Sequence, residues 1–418
     1  MTLSLREARI RKKQPYRPLL VNLALLVFVC VLAVGAAEGV LRITKSVNRL
    51  HNRATNIFDP DIGYYHGPKQ STIFRFEGQR IPYGTNNLGF RDRDREVPKP
   101  ADTYRVLFLG DSFLESPWLP SEAIFPAVLE ERFREREVAS GKKVEFLNFG
   151  VLGYGTGVQY NQLLKIGVQT EPDFVAVAFF INDILDNYTT PLLPGGRPDP
   201  EFLDPIDYHL AHYAKDSTGG WRFIPAEPYP HRGAVRTFLN KEFHLYQFLG
   251  DSFPALKKVL RLFERKAPEE HVTETSERRL EPNQMFNFLQ SPPVEVVIGW
   301  EATEYILGEM KSYLSLKGIP MMLTFLPPDY LLSREAWEAE MKARGLNPDE
   351  GAIDLPEQKV KAICEKLDIE FVSPTAKFRA SGKQLHFKSD PHFNASGHAL
   401  MADVMETYFQ NRLAPGRK

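Results

Sequence analysis

The chain has 418 residues, of which 43% are hydrophobic and 25% are charged, and this globular composition excludes a disordered or fibrous protein. The formal net charge is −1 at pH 7, and no basic stripe interleaved with aromatic residues lies in the body of the chain, so nucleic acid is not an expected partner. Cys30 lies in an apolar run and only Cys364 remains in the soluble part, which leaves no internal disulfide there. The fold must therefore be held together by its hydrophobic core.

The N-terminus carries a membrane signal. Residues 19–37 form an apolar run broken only by Asn22, and about 20 such residues cross the hydrocarbon core of a bilayer. Glu38 and Arg42 follow the run. Basic residues precede it, namely Arg6, Arg9, Arg11, Lys12, Lys13 and Arg17. This charge bias predicts a cytoplasmic N-terminus, with everything after residue 42 on the far side of the membrane.

We therefore predict a basic cytoplasmic leader at residues 1–18 and a transmembrane signal anchor at residues 19–41. The alternative is a cleaved signal peptide, because residues 34–37 (Val-Gly-Ala-Ala) offer the small side chains that a signal peptidase accepts. The long basic leader and the length of the apolar run favour the uncleaved anchor. In either case the body of the protein is expected to be periplasmic or extracellular.

The body of the chain alternates between strand and helix patterns, after a polar stretch at residues 42–103 that we interpret as a stalk and lead-in. Strands are predicted at 105–109, 143–149, 174–180, 321–325 and 369–372, and helices at 121–138, 158–166, 301–316, 356–367 and 395–412. Ser121 and Asn394 are the candidate N-caps of the first and last of these helices.

This alternation predicts an α/β fold, a doubly wound parallel sheet covered by helices on both faces. The domain spans residues 104–412, with an insertion at 188–296 and a tail at 413–418. In such sheets, function gathers at the carboxyl ends of the strands, and we expect the insertion to pack over that edge. Its aromatic residues either contact a substrate or form a small core of their own; examples are Tyr208, Tyr213, Trp221 and Phe223.

Four polar motifs lie at or near predicted strand ends. They are Gly110-Asp111-Ser112, the glycine-rich turn at residues 148–155, Asn182-Asp183, and Asp390-Pro391-His392. A serine after a strand-ending glycine can project into the cleft, and a glycine-rich turn lets a backbone N–H approach a developing oxyanion. A side-chain amide can add another oxyanion donor, and an imidazole with a nearby carboxylate can act as a base. Each motif alone is a weak signal, but their order favours a nucleophilic serine enzyme.

These motifs, in this order, resemble the four blocks of the SGNH, or GDSL-type, serine hydrolase family. The matching residues are Ser112 in Gly-Asp-Ser, Gly153 in Asn-Phe-Gly-Val-Leu-Gly, Asn182 in Phe-Ile-Asn-Asp, and His392 in Asp-Pro-His-Phe-Asn. The resemblance covers residues 83–190 and 297–412. Within it, residues 86–91 (Asn-Asn-Leu-Gly-Phe-Arg) are similar to the lead-in of membrane-anchored bacterial members.

The resemblance implies a flavodoxin-like α/β/α sandwich and a serine mechanism. Ser112 would attack an ester carbonyl, His392 would take its proton, and Asp390 would orient His392. The backbone N–H groups of Ser112 and Gly153, together with the Asn182 amide, would form the oxyanion hole. No cofactor and no metal are implied.

Two positions depart from the family pattern. Phe180 stands where the third block usually has a glycine, although Asn182 is intact. The fourth block usually has an aspartate three residues before its histidine, but Ser389 occupies that position and Asp390 lies two residues before His392. The shorter spacing is similar to that of relatives that acetylate exported polysaccharides.

Two alternative sites are present in the sequence. Residues 248–253 repeat the Phe-Leu-Gly-Asp-Ser-Phe of residues 108–113, but the helix-like apolar spacing around Ser252 favours a break between two helical segments. A second cluster has the carboxylate and imidazole groups that suit zinc, without ligands of comparable spacing elsewhere. Its members are His386, Asp390, His392 and His398.

The sequence thus predicts an extracytoplasmic serine esterase or O-acyltransferase that acts through an acyl-serine intermediate. Family analogy and location suggest acetyl esters on exported polysaccharide or cell-envelope glycan as substrates, with lipid esters as a second class. The competing hypotheses are a non-catalytic glycan-binding or assembly protein on the same fold, and a metal-dependent phosphate- or sulfate-ester hydrolase.

Overall fold

A computed structural model describes residues 17–44, 56–134, 141–188, 192–193, 197–198, 211–215, 218–226, 239, 243–252 and 283–414. The chain folds as two compact units. The first comprises residues 1–47 and 238–265, and the second comprises residues 48–237 and 266–418.

The strands belong to the second unit. They are β1 Asn56–Asp59, β2 Gly63–His66, β3 Ser71–Phe76, β4 Gln79–Gly84, β5 Thr103–Gly110, β6 Lys143–Gly150, β7 Phe174–Phe179, β8 Leu192–Leu193, β9 Arg197–Pro198, β10 His212–Lys215, β11 Trp221–Ile224, β12 Met321–Phe325 and β13 Glu370–Val372. Five of them form a parallel sheet in the order β13-β12-β7-β5-β6. The remaining ones pair as antiparallel hairpins, β1 with β2, β3 with β4, β8 with β9 and β10 with β11.

The α-helices alternate with the strands of the large sheet. They are α1 Arg17–Thr44, α2 Ser112–Glu115, α3 Phe125–Phe133, α4 Thr156–Lys165, α5 Asp183–Tyr188, α6 His244–Ser252, α7 Val294–Leu316, α8 Arg334–Ala343, α9 Leu355–Lys366, α10 Thr375–Ala380 and α11 Ala395–Arg412. Helices α1 and α6 lie in the first unit, and the others lie in the second.

The parallel sheet confirms the predicted α/β topology. Every residue of β7 and of β12 is buried, as expected for strands that are covered on both faces. Strand β5 lies between β6 and β7, and its Val106 lies opposite Phe146 of β6 on one side and Phe174 of β7 on the other. The chain therefore turns from one side of β5 to the other, and such a switch point is where open α/β sheets bind their ligands.

Two helical layers cover this sheet, which makes the α/β/α sandwich. Helix α3 packs against α11, and helix α4 packs against α7. Phe409 of α11 is fully buried, with its ring 6.2 Å from that of Phe108, 5.2 Å from that of Phe146 and 5.6 Å from that of Phe174. A phenylalanine packed in this way contributes about 3–5 kcal/mol relative to alanine, so these rings hold α11, and the segment before it, on the sheet.

Residues 56–103 differ from the stalk that the sequence predicted. They begin with two hairpins, and Ile62, Tyr64 and Phe90 of this segment belong to the main hydrophobic core. The strands have only four to six residues each, and their burial alternates irregularly, so they leave no strong periodic pattern in the sequence. The segment is thus part of the folded domain.

The two predicted N-caps have different outcomes. Asn394 caps α11 as expected, since its Oδ1 accepts hydrogen bonds from the backbone N–H groups of Ser396 (2.9 Å) and Gly397 (3.0 Å). Ser121 is not a cap, because it lies in a short 3₁₀ turn and α3 begins only at Phe125. A proline in the first turn of α3 has no backbone N–H that would need an acceptor, and the helix starts without a side-chain cap.

Helix α1 includes a 26-residue segment, Leu19–Thr44, that is long and apolar enough to cross a membrane. Its apolar side chains are exposed, Leu19 by 67% and Phe28 by 61%, as lipid-facing residues are. Near its end, the Glu38 carboxylate accepts hydrogen bonds from the first backbone N–H groups of α6, those of His244 (3.1 Å) and Leu245 (2.8 Å). Glu38 therefore caps α6 and fastens it to α1.

The insertion contributes the hairpins β8–β9 and β10–β11 within its described part. The Tyr213 hydroxyl lies 3.2 Å from Asn161 Oδ1 on α4, and the Trp221 ring stacks on that of Tyr305 on α7 with centroids 6.0 Å apart. These two aromatic residues therefore fasten the insertion to the helical layer. Tyr208 lies outside the described residues.

Candidate active site

Ser112 begins α2, immediately after strand β5, which lies between β7 and β6 in the sheet. The preceding Asp111 is the N-cap of this short helix, with its Oδ1 accepting from the Phe113 N–H at 2.9 Å. The end of β6 must approach α2 closely, because a Cβ at Gly150 would lie only 2.6 Å from the Glu115 nitrogen. Glycine at that position lets the backbone of α2 rest on the sheet edge, which fixes Ser112 at the switch point.

His392 reaches Ser112 from the loop before α11. Its Nε2 lies 2.6 Å from Ser112 Oγ, and its Nδ1 lies 2.5 Å from Asp390 Oδ1. An ionised carboxylate can only accept, so Nδ1 carries the proton and Nε2 is left to accept from the serine hydroxyl. A chain of hydrogen bonds thus runs from the hydroxyl through the imidazole to the carboxylate.

The short Asp-x-His spacing closes a local turn. Asp390 Oδ1 also accepts from the His392 backbone N–H at 3.0 Å, so one carboxylate oxygen holds both the backbone and the ring of the histidine. Ser389, at the position where an aspartate would be usual, donates instead to Glu77 at the turn between β3 and β4. Asp390 therefore holds the imidazole, and Ser389 connects this loop to the hairpin.

The imidazole of His392 contacts two aromatic rings. The Trp118 ring stacks on it at 3.9 Å and 24°, and the Phe113 ring lies 4.6 Å away on a tilted plane. Phe180 packs in turn on Phe113, with centroids 4.3 Å apart. Phe180, which departs from the family pattern, thus extends an aromatic stack that limits rotation of the His392 ring.

Gly153 lies in the turn after β6 and has a φ of +79°, a conformation that favours glycine. Both backbone groups of the preceding residue, Leu152, make hydrogen bonds. The Leu152 N–H donates to Glu115 Oε2 at 2.5 Å, and the Leu152 carbonyl accepts from the Tyr64 hydroxyl. The Tyr154 N–H closes the turn on the Val151 carbonyl at 3.2 Å.

Asn182 lies directly before α5, after the third strand of the sheet. Its Nδ2 donates to Asp186 Oδ2 at 2.9 Å, and its backbone carbonyl accepts from the Asp186 N–H at 3.0 Å. A carboxamide nitrogen carries two N–H bonds, so this contact leaves the second one for another acceptor. Asp186 therefore determines which way the Asn182 amide faces.

Three carboxyl groups, those of Asp111, Asp183 and Asp186, lie at the same end of the sheet as Asn182. Burial raises the pKa of Asp111 to about 6, against the Phe113 N–H, which favours the ionised form. Burial, and then the Asp111 charge, raise the pKa of Asp186 to about 7. The pKa of Asp183 is raised well above its usual value, by burial first and then by the charges of Asp111 and Asp186. Protons held by this cluster near neutral pH reduce the negative charge beside the place where an oxyanion would form.

Glu115, which contacts the turn at residues 151–154, is fully buried. Its Oε1 accepts from the Tyr83 hydroxyl at 2.8 Å and lies 3.3 Å from His66 Nε2. Burial acts to raise the pKa of this carboxyl, but the contacts with His66, Leu152 and Tyr83 outweigh it, and the pKa is lowered. An ionised Glu115 therefore holds the Leu152 N–H.

Arg91, the last residue of the Asn-Asn-Leu-Gly-Phe-Arg segment, is also buried. Its guanidinium donates to the backbone carbonyls of Glu115 (2.9 Å), Ser116 and Leu119. It thereby satisfies the carbonyls at the end of α2 and in the segment that carries Trp118. This gives the lead-in segment a structural role beneath the candidate site.

The other two histidines of the proposed zinc cluster make separate contacts. His398 Nε2 lies 3.1 Å from Ser116 Oγ, and burial lowers the pKa of His398 to about 3. His386 Nε2 lies 3.0 Å from the Pro327 carbonyl oxygen. Within the ranges that the structure describes, no three His, Cys, Asp or Glu side chains are grouped so that they could hold a metal ion.

The second Gly-Asp-Ser ends helix α6 in the first unit, so Ser252 lies in helical backbone as the apolar spacing predicted. The sequence did not indicate four residues that contact the candidate site: Tyr64, Glu115, Trp118 and Asp186. Only Asp186 left a usable signal, because it follows Asn182 by four residues at the start of a helix.

Solved structures of esterases and acylhydrolases match the chain. A psychrotrophic esterase from a Pseudoalteromonas species is 12% identical, and the match covers 74% of this chain and 98% of that one with a TM-score of 0.35. A GDSL-like lipase from Bacteroides thetaiotaomicron is 10% identical (76% and 93% covered, TM-score 0.34). An acetylxylan esterase from Geobacillus stearothermophilus is 12% identical (75% and 97% covered, TM-score 0.35). No protein-family model and no curated protein matches the sequence.

Proposed function

We propose that this protein is a serine esterase of the SGNH type, with Ser112 as nucleophile, His392 as general base and Asp390 as the group that orients the base. The observation that carries the proposal is the hydrogen-bond chain at the switch point: Ser112 Oγ lies 2.6 Å from His392 Nε2, and His392 Nδ1 lies 2.5 Å from Asp390. Distances of this size are what proton transfer from a nucleophilic hydroxyl requires.

In the first half-reaction, Ser112 Oγ attacks the ester carbonyl carbon while His392 Nε2 takes the hydroxyl proton. The carbonyl oxygen becomes an oxyanion, which the N–H groups of Ser112 and Gly153 and the Asn182 amide would stabilise. The tetrahedral intermediate collapses, the C–O bond to the alcohol breaks, and the leaving alkoxide receives the proton from Nε2. Ser112 is then acylated.

In the second half-reaction, Nε2 takes a proton from a water molecule or from an acceptor hydroxyl. The oxygen attacks the acyl-serine carbonyl, and the bond to Ser112 Oγ breaks as Oγ regains the proton. Water gives a free acid, and an acceptor hydroxyl gives a new ester. Product analysis with an acetyl donor and a glycan acceptor separates the two; release of free acetate alone would reject the transfer reaction.

The location proposed for this chemistry is the outer face of the cytoplasmic membrane, in the periplasm or outside the cell. The apolar segment Leu19–Thr44 and the basic leader before it support an anchor with its N-terminus in the cytoplasm. Substrates displayed there include acetylated exported polysaccharide and cell-envelope glycan, with lipid esters as a second class. No cofactor takes part in the proposed mechanism.

Labelling with a fluorophosphonate tests the proposal directly. The full-length protein in detergent is treated with the probe, alongside Ser112→Ala and, as a matched control, Ser252→Ala. We expect labelling of the wild type and of Ser252→Ala, but not of Ser112→Ala. Loss of the label only in Ser252→Ala would move the nucleophile to the second Gly-Asp-Ser. A folded wild type without label would favour a glycan-binding or assembly protein, or a metal-dependent hydrolase, which chelators would inhibit.

A further inference from the structure

We propose that Tyr64 is a positioning residue for the oxyanion hole: its hydroxyl fixes the peptide group whose N–H is the Gly153 donor. The inference rests on the proposed function, because it concerns the reaction at Ser112. It assigns a role in that reaction to β2, which lies in the segment that the sequence predicted to be a stalk.

One peptide group joins the Tyr64 contact to the proposed oxyanion donor. The Leu152 carbonyl and the Gly153 N–H belong to the same planar unit, and in a trans peptide they point in opposite directions. The Tyr64 hydroxyl donates to the Leu152 carbonyl oxygen. Holding that oxygen on one side therefore holds the Gly153 N–H on the other. The same bond polarises the peptide, which strengthens its N–H as a donor.

A glycine at this position makes such a restraint necessary. Gly153 has a φ of +79°, and glycine also adopts negative φ values readily, so the turn has little intrinsic preference for one orientation of its peptide. The Glu115 contact fixes only the preceding N–H, that of Leu152. The Tyr64 hydroxyl lies 3.2 Å from where a Cβ of residue 153 would be, so it contacts the turn directly.

Tyr64 is itself held rigidly. Its side chain is only 2% exposed, and its ring makes an edge contact with that of Tyr154 at 5.4 Å between centroids. The Tyr154 hydroxyl donates to the Tyr64 backbone carbonyl, so Tyr154 contacts both the ring and the backbone of Tyr64. A hydroxyl on a buried ring in a strand holds its position better than one on a loop.

The test removes the hydroxyl and keeps the ring. Tyr64→Phe, in the full-length protein in detergent, is assayed with 4-nitrophenyl acetate. We expect kcat to fall roughly 10–100-fold, less than the loss of a whole oxyanion donor, with KM within about twofold of the wild type. Tyr213→Phe is the matched control, because it also removes a buried tyrosine hydroxyl, one bonded to Asn161 on α4. It should retain wild-type kcat.

A second substrate separates positioning from a general loss of structure. In the thiono analogue of the same ester, sulfur replaces the carbonyl oxygen and accepts hydrogen bonds poorly, so the oxyanion hole contributes less to its cleavage. Tyr64→Phe should therefore lose less rate on the thionoester than on the ester. Tyr154→Phe, which loosens Tyr64 without removing its hydroxyl, should show a smaller loss of the same kind.

The outcomes are distinct. An equal loss on both substrates, or a kcat of Tyr64→Phe equal to that of an active wild type, overturns the role of Tyr64 and leaves the serine mechanism intact. A wild type that neither cleaves the ester nor reacts with fluorophosphonate overturns both proposals.

Discussion

The same six residues, Phe-Leu-Gly-Asp-Ser-Phe, occur at 108–113 and at 248–253, and the two copies have different structures. In the first copy the chain leaves a buried strand at Gly110 and starts a new helix with Ser112. In the second copy the tripeptide ends a nine-residue helix at Ser252. The difference lies in what precedes each copy: Arg105-Val-Leu in a buried strand for the first, and the helix-forming run from His244 for the second.

The same Gly-Asp-Ser tripeptide thus ends a helix in one place and follows a sheet strand in the other. Ser112 lies at the switch point, where the loop before α11 brings His392 and Asp390 to it, and the proposed oxyanion donors Gly153 and Asn182 follow β6 and β7. Local sequence sets the turn, but long-range packing supplies the partners.

The largest expected effect comes from replacing the serine of the first copy, with replacement of the serine of the second copy as the comparison. Ser112→Ala should lower kcat by several orders of magnitude, about 10³-fold or more, because the proposed acyl-enzyme forms on the Ser112 hydroxyl. Ser252→Ala should keep wild-type turnover. Steady-state hydrolysis of 4-nitrophenyl acetate measures both, with a thermal melt to show that each variant is folded. Equal losses in the two variants would end the distinction drawn between the copies.

The carboxylate partner of the base comes next. Asp390→Asn should lower kcat by about 10³–10⁴-fold, because an amide can present the wrong group to His392 Nδ1 and so favour the wrong tautomer. Ser389→Ala is the matched control, since this neighbour contacts Glu77 instead of the imidazole. If Ser389→Ala were the more damaging change, the usual three-residue spacing would describe the site better than Asp390 does.

Removal of the proposed side-chain oxyanion donor, Asn182, should lower kcat by a smaller factor. Asn182→Ala should reduce kcat by about 10²–10³-fold with little change in KM, because the amide interacts with charge that develops only in the transition state. Comparison of kcat and KM for the ester substrate measures this. A large rise in KM with unchanged kcat would instead assign Asn182 to substrate binding.

The smallest expected effect concerns stability and pH. The pKa of Asp111 is raised to about 6 and that of Asp186 to about 7, above the value near 4 of an unfolded chain. The folded state therefore binds these protons more tightly, so their contribution to stability is complete below about pH 4 and is lost as the pH rises through 6–7. The Tm of the protein should fall between pH 5 and pH 8.

Substitution sharpens this prediction. Asp111→Asn keeps an N-cap oxygen on α2 but removes one charge, which should flatten the dependence of Tm on pH. Asp251→Asn makes the same change in the second Gly-Asp-Ser, outside the group of Asp111, Asp183 and Asp186, and should keep the wild-type slope. A Tm that rises between pH 5 and pH 8 in the wild type would contradict the sign.

The sequence was sufficient to predict the sheet and the motifs because both depend on local patterns. The apolar runs of β5, β6, β7 and β12 are typical of strands buried on both faces, and the polar motifs follow strand ends. The hairpins between residues 56 and 84 were not predicted. Their strands are short, and the contacts of Tyr64 with Leu152 and of Trp118 with His392 join residues far apart in the chain, which no periodicity encodes.

The stacking of Trp118 on His392 also gives the protein an optical reporter. An indole in face-to-face contact with an imidazole, here at 3.9 Å, loses fluorescence when the imidazole gains a proton. Emission from Trp118, isolated by replacing the other three tryptophans with phenylalanine, would then report on the state of the His392 ring without any substrate. The same signal would change when Ser112 becomes acylated and its hydroxyl no longer binds Nε2, so single turnovers could be observed in real time.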